Sequence, residues 1–412
     1  FKNDCKVKIF CRKYQLFDVF LYKRILTSFI IFFPVLKMAG IYIHIPFCSQ
    51  RCSYCNFFSV VSINLLNEVI DAIIKEFSIR KDYLKNEPVQ TIYFGGGTPS
   101  LLTIQQIEKL LNTIYKNFPV EKNAEITFEA NPDDLTEKYL SDLKKTGINR
   151  LSIGIQSFDD NKLKILNRRH NAFQAVEAVR VAQRSGFNNI SIDLIYGLPF
   201  QSLIEWENDL DKAFSLPIQH LSAYALTFEE KTLLLKQKEK KLIEPADEEL
   251  MIKMYELLLN KSNQNGFDAY EISNFSLPEF YSRHNSSYWT QTPYLGIGPS
   301  AHSFNGFSRQ WNVASIHKYI EGIMKNNSFF EQEILSLQDR YNEYVLLGLR
   351  TKNGINIVEL EQNFGIELKN FCLENIKTFI DNEKVYRYGS FLRLTTAGKL
   401  ISDTIIAQLM MV

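Results

Sequence analysis

From Met38 onward the chain alternates short runs of β-branched and aromatic residues with amphipathic helical stretches. No other feature restricts the fold as much, because this alternation belongs to βα units built around a parallel sheet. The strand candidates are Ile41–Ile45, Gln90–Phe94, Glu125–Phe128, Leu151–Ile155, Asn189–Leu194 and His220–Leu226. These six runs are the count of a partial (β/α)6 barrel, open where an eight-stranded barrel closes. Helix candidates lie between them at Leu66–Arg80, Thr103–Tyr115, Thr136–Thr146, Phe173–Ser185 and Leu203–Phe214. Thr103 and Thr136 carry hydroxyls suited to capping a helix start. Gly147 and Gly186 tolerate the left-handed turn that ends one.

Further along, Glu229 to Lys241 is a charge-rich run with an apolar centre, and a helix is expected from Pro245 through Lys261. After Phe275 the pattern turns to Gly, Ser, Asn and aromatics as far as Asn312, which reads as a loop-rich binding region. The tail gives helices at Asp339–Leu349, Ile357–Asn363 and Leu368–Ile380, a hairpin of Val385–Tyr388 with Phe391–Leu394, and a last helix from Thr395. That order suggests a winged-helix-like docking module. The expected divisions are an N-terminal extension at 1–37, the barrel at 38–275, a loop-rich connector at 276–335 and the C-terminal module at 336–412.

Charge is nearly balanced, with 47 basic and 46 acidic residues, so nothing marks a nucleic-acid partner. Six cysteines, three of them clustered, do not form a disulfide framework and favour a reducing, cytoplasmic setting. Cys5, Cys11 and Cys372 read as free thiols. Residues 1–37 do not begin with Met and contain one apolar run, Ile25 to Leu36. That run is shorter than the ~20 residues that span a bilayer, and Pro34 interrupts it. The expectation is an upstream or non-native extension without stable membrane insertion.

The chemistry sits in His44-Ile-Pro-Phe-Cys48-Ser-Gln-Arg-Cys52-Ser-Tyr-Cys55. A [4Fe–4S] cluster normally takes four thiolates, so three closely spaced cysteines leave one iron open for a ligand. Zinc on three cysteines plus His44 is the alternative, although zinc motifs usually come as two separated pairs.

The CxxxCxxC spacing and its Tyr42-Ile-His-Ile-Pro-Phe approach resemble the radical S-adenosylmethionine (SAM) enzymes. The similarity is to the branch holding oxygen-independent coproporphyrinogen III oxidases and the HemW heme chaperones, and it runs from Met38 to the C-terminus. It implies that Cys48, Cys52 and Cys55 hold the cluster, fed by an external reductant, and that SAM occupies the open iron. Gly96, Gly97 and Thr98, in a Gly-Gly-Gly-Thr-Pro segment, are implied SAM contacts. So are Glu129, Gln156 and Asp193 at strand ends, and Arg168 with Arg169 as its rival. Tyr42 and Tyr54 are implied to pack near cluster and SAM.

Two features separate the branches. Oxidases of this type carry a further cysteine two positions after the triplet, where this chain has Phe57, as in the heme-chaperone group. The segment Arg283-His284-Asn285-Ser-Ser-Tyr288-Trp289 matches the HNxxYW heme motif of that group, which makes His284 the implied heme ligand, with His302 a second candidate. The resemblance therefore implies a heme-binding protein that hands heme to a respiratory acceptor. Coproporphyrinogen oxidation is the alternative.

Overall fold

The structure, a computed structural model, describes residues 38–411. The apolar run before Met38, Cys5 and Cys11 lie outside the described residues. Six parallel strands neighbour one another in chain order: β1 (Ala39–Ile45), β2 (Val89–Gly96), β3 (Val120–Ala130), β4 (Arg150–Gln156), β5 (Ile190–Tyr196) and β6 (His220–Ala225). Helices Leu66–Ile79, Ile104–Asn117, Glu137–Lys145, Ala172–Arg184 and Leu203–Phe214 return the chain between them. The expected caps are present: Thr103 and Gln106 form a reciprocal capping box, and the Thr136 hydroxyl accepts from the Tyr139 amide.

Side chains alternate along each strand, so the sheet has two unlike faces. The outer face carries Ile41, Ile43, Phe94, Ile126, Phe128, Leu151, Ile153, Ile192 and Leu221, all packed into the helix-covered core. The inner face carries Tyr42, His44, Thr91, Tyr93, Glu125, Thr127, Glu129, Arg150, Ser152, Ser191, Asp193, His220 and Ser222, most of them buried. Closed eight-stranded barrels instead fill their interior with branched apolar residues. Here the apolar burial that stabilises the fold lies outside the barrel.

The 276–335 region is less loop-like than its composition suggests. After two short strands, β7 (Asp268–Ala269) and β8 (Asn274–Ser276), which extend the sheet beyond β6, the chain crosses to the other edge. There β9 (Tyr294–Ile297) pairs in parallel with β1, and β10 (His302–Phe304), β11 (Ser308–Asn312) and β12 (Phe330–Ile334) continue antiparallel. These strands are three to five residues long. Such runs are too short to show a period, and they form because the edge of β1 offers unpaired backbone groups.

A buried polar knot fastens this extension to the barrel. The Glu76 carboxylate accepts from the Tyr319 hydroxyl (2.5 Å), the Asn312 amide (2.8 Å) and the Gly298 backbone N–H (2.9 Å). Arg80 pairs with Glu76 at 3.3 Å and donates to Ser303 and Gln310.

Residues from Ser336 form the expected helices at Leu337–Leu349, Ile357–Phe364 and Ile366–Asp381. A three-stranded sheet of β13 (Ile355–Asn356), β14 (Val385–Tyr388) and β15 (Phe391–Leu394) follows the order β13-β15-β14. Tyr341, Val345, Ile376, Val385, Leu392 and Ile405 make a core of their own, which also buries the free thiol of Cys372.

Candidate cluster and cofactor site

A cavity of about 610 Å³ opens where β1 to β6 end, the face on which parallel barrels bind ligands. Cys48, Cys52, Cys55, Tyr54, Gly96, Gly97, Thr98, Glu129, Gln156, Arg168 and Asp193 all line it. Residues spread over more than a hundred positions of sequence therefore converge on one space.

The cysteine loop is anchored at both ends. The Cys48 N–H donates to the Val60 carbonyl and Val60 N–H to the Pro46 carbonyl, while Ser53 N–H and hydroxyl reach the carbonyls of Leu166 and Ile165. Burial pushes the Cys55 thiol up to about 11, so metal binding itself would have to draw off its proton. Among the described residues no three Cys, His, Asp or Glu side chains converge closely enough for a single metal ion. His44, the supposed fourth zinc ligand, lies off the cavity, its Nδ1 on the Tyr42 hydroxyl (3.2 Å) and its Nε2 on the Phe58 carbonyl (2.9 Å). With His44 engaged elsewhere, three thiols at the cavity suit a [4Fe–4S] cluster with one open iron better than a tetrahedral Cys3His zinc.

Arg168 and Arg169 separate cleanly. The Arg168 guanidinium donates to Cys52 Sγ (3.3 Å), the Asn131 side chain (2.6 Å) and the Gly154 carbonyl (2.5 Å). Its Nε remains buried without a partner. Arg169 instead pairs with Asp133 (2.9 Å) and Asp134 (2.8 Å) at the rim. Arg168 is thus the arginine that touches both the cysteine loop and the strand ends.

Two carboxyls stand deeper. Burial raises Glu129 to about 7, helped by the nearby Asp193 and opposed by a hydrogen bond from the Tyr93 hydroxyl at 2.7 Å. Burial likewise raises Asp193 to about 6. Gln156 takes a left-handed φ of 74° where the pairing of β4 with β5 slips, which turns its side chain into the cavity wall. Carboxylates and an amide so placed can accept from an ammonium group or ribose hydroxyls.

Gly96 and Gly97 also serve the packing of the strands. A Cβ on Gly97 would lie 2.5 Å from the Phe47 carbonyl oxygen, and one on Gly96 2.6 Å from the His44 ring. Their lack of side chains lets the strand entering the cysteine loop pass close to β2, while their backbone still faces the cavity.

Two expected site residues are not at the cavity. Tyr42 lies beneath it, its ring 6.0 Å from Tyr93 and 6.4 Å from His284. His284 sits at the far, closed end of the barrel interior and is 1% exposed. Its Nδ1 is 2.8 Å from the Thr91 hydroxyl and its Nε2 2.9 Å from the Tyr288 hydroxyl. Glu125 accepts from the backbone N–H groups of both Arg283 and His284, capping helix Arg283–Trp289. In this structure His284 thus has no free nitrogen for a metal. Burial and Arg150 hold it neutral, lowered to about 3.

Asn131, Ser152, Gly154 and Tyr224 also line the cavity and were missed by sequence reading. A strict count of two from Glu129 and Gln156 along their strands would have found the first three, whereas no candidate on β6 led to Tyr224.

Comparison with known proteins agrees with this geometry. Residues 42–213 match the radical SAM superfamily, and residues 335–401 the HemN C-terminal domain. The heme chaperone HemW of Lactococcus lactis is 33% identical over 91% of this chain and 98% of its own length. That of Bacillus subtilis is 33% identical over 89% and 98%. The solved structure of HemN from Escherichia coli, a coproporphyrinogen III oxidase and radical SAM enzyme, superimposes with a TM-score of 0.78 at 22% identity, over 90% of each chain. A cysteine-lined cavity at the strand ends and relatives matching nearly end to end lead to one conclusion: the chain belongs to the radical SAM superfamily, in the family of HemN and the HemW heme chaperones.

Proposed function

We propose that this protein is a heme chaperone that binds a [4Fe–4S] cluster and SAM in its barrel mouth and passes heme to a respiratory acceptor. The observation that carries the reading is the match to heme chaperones over 98% of their length. Phe57 agrees with it, standing at the mouth where the oxidases have a further cysteine.

In this reading Cys48, Cys52 and Cys55 would hold the cluster and Arg168 would keep the Cys52 sulfur oriented. Thr98, Gln156, Glu129 and Asp193 would bind SAM through its polar groups. When bound and reduced, the cluster supplies the electron that can split SAM. The protein supplies position: Tyr54 packs with Leu166, Ile195 and Leu198 to shield one side of the cavity from water. Heme ligation by His284 would require helix Arg283–Trp289 to leave Glu125 and Thr91.

The test is anaerobic reconstitution with iron and sulfide, then heme titration of wild type and His284→Ala, with coproporphyrinogen III turnover measured on the same sample. Stoichiometric heme binding without turnover is expected. Decarboxylation without specific heme binding would make the protein an oxidase instead.

A further inference from the structure

Charge is balanced over the whole chain but not beside the cysteine loop. Between Lys231 and Lys241 five lysines stand against one glutamate, Glu239. Helix Leu233–Glu239 carries the middle of this run, with the Thr232 hydroxyl capping its start and Leu234 buried beneath it. Two hydrogen bonds tie the segment to the cysteine loop. The Leu234 N–H donates to the carbonyl of Ser53, between Cys52 and Cys55 (2.9 Å), and the Asn56 side-chain amide donates to the Glu229 carboxylate (2.9 Å). The basic run is therefore fixed to the residues that would hold the cluster.

A solvated face is the ordinary fate of a charge run. This one differs in its pairing and its backbone. All five lysines are exposed and none is in an ion pair among the described residues, whereas Lys253 and Lys261 on the following helix both are. Lys236 and Lys240 stand one turn apart, where like charges repel. The helix dipole favours Lys236 and Lys238 in the last turn, but Lys231 lies before the positive end. Lys231 (φ 65°) and Lys241 (φ 57°) also take the left-handed backbone that glycine or asparagine adopts with less strain, so the backbone does not account for lysine at either place. Arg51, between Cys48 and Cys52, is exposed at the same mouth. Phe57 and Leu233, each one residue from a tie between the two segments, are 64% and 52% exposed. Cations around accessible apolar groups suit a transient partner of opposite charge.

We propose that this face receives the protein that reduces the cluster, and that the partner is a small acidic carrier of single electrons. This rests on the cluster reading proposed above. A donor seated on helix Leu233–Glu239 is one backbone hydrogen bond from the loop between Cys52 and Cys55, the segment that an incoming electron has to reach. One electron passes at each docking: the carrier is oxidised by one, the cluster is reduced by one, and no bond or proton moves.

The experiment takes the full-length protein after anaerobic reconstitution with iron and sulfide and mixes it rapidly with a reduced plant-type ferredoxin, an acidic low-potential carrier. Reduction of the cluster is followed by electron paramagnetic resonance of frozen samples. Lys236→Glu combined with Lys238→Glu should slow reduction roughly tenfold or more at low salt, and the gap should close as salt screens the charges. Lys236→Gln with Lys238→Gln, which removes the charges without reversing them, should slow it less. Reduction by the methyl viologen radical, which needs no docking, should stay at the wild-type rate in both. The same reversal at the exposed Lys377 and Arg387 of the C-terminal module changes net charge equally and should leave the ferredoxin rate near wild type. Equal ferredoxin rates for wild type and the Lys236→Glu, Lys238→Glu protein, or equal slowing by the C-terminal control, would overturn the assignment. So would an unchanged rate joined to lost binding of anionic phospholipid vesicles, which would give the face to a membrane. Wild type that assembles no cluster would overturn the cluster reading itself.

Discussion

The two ends of the barrel interior are built from the same kinds of residue and put them to opposite use. At the mouth, Glu129, Asp193, Gln156 and three thiols face a cavity, and burial holds both carboxyls well above their ordinary range. At the floor, Glu125, Thr91, His284 and Tyr288 face one another and their polar groups are mutually bonded. Satisfied polar groups rigidify a core, whereas groups held in an uncomfortable state are what a ligand can relieve. The difference teaches that a residue's type and motif do not tell site from scaffold; the fate of its lone pairs and protons does.

The sharpest way to break this contrast is at the thiols. Cys52→Ala should abolish cluster assembly, read as iron and sulfide content with the broad visible absorbance after anaerobic reconstitution, while the protein stays folded. An iron-replete Cys52→Ala protein would mean that the mouth does not hold the cluster. Next in size is the floor. His284→Ala opens a buried space and strands the Thr91 and Tyr288 hydroxyls and should cost about 2–4 kcal/mol in urea unfolding. Cluster content should not change.

Glu129→Gln should act with the other sign. A carboxyl raised from 4.5 to about 7 in the folded state keeps a proton that the unfolded chain releases. Its contribution to stability is whole below pH 4.5 and is lost as pH rises through about 7; Asp193, raised from 3.8 to about 6, behaves likewise. Removing the charge should therefore stabilise the cofactor-free protein at pH 8 by about 1–3 kcal/mol, with the gain vanishing near pH 4. SAM affinity, measured by calorimetry on the reconstituted protein, should meanwhile drop roughly tenfold. A destabilised Glu129→Gln at pH 8 would place that residue with the floor. The smallest effect belongs to Phe57, 64% exposed at the rim. Phe57→Ser should shift unfolding free energy by no more than about 0.5 kcal/mol.

Much of this was legible because burial writes itself into strands and helices. The six barrel strands were readable from outward residues such as Ile41, Ile43, Leu151 and Ile153, since every second position had to be apolar. The C-terminal helices and hairpin were readable for the same reason, and the cysteine spacing disclosed the mouth. Strands β9 to β12 were not, because at three to five residues they borrow order from the edge of β1. Nor was the seat of His284: its motif gives a helix, but the direction that helix turns is decided by Glu125, more than 150 residues away, which binds its first two amides. The separate roles of Arg168 and Arg169 were equally hidden, since a pair of adjacent arginines carries no sign of which one faces the cysteines.

The polar inner wall has a consequence for how such a protein can change over time. Because Ile, Leu and Phe on the outer face bind the sheet to its helices, substitutions at Ser152, Gln156, Asp193 or Tyr224 alter what the cavity accepts while leaving most of the apolar core in place. Inner and outer positions alternate along the same strands, so a lineage can explore new ligands at one residue and preserve its architecture at the next. A barrel with an apolar lumen lacks that freedom, since there each trial of a new contact is also a trial of folding. The alternation seen here is in effect a separation of heritable risk, written two residues at a time.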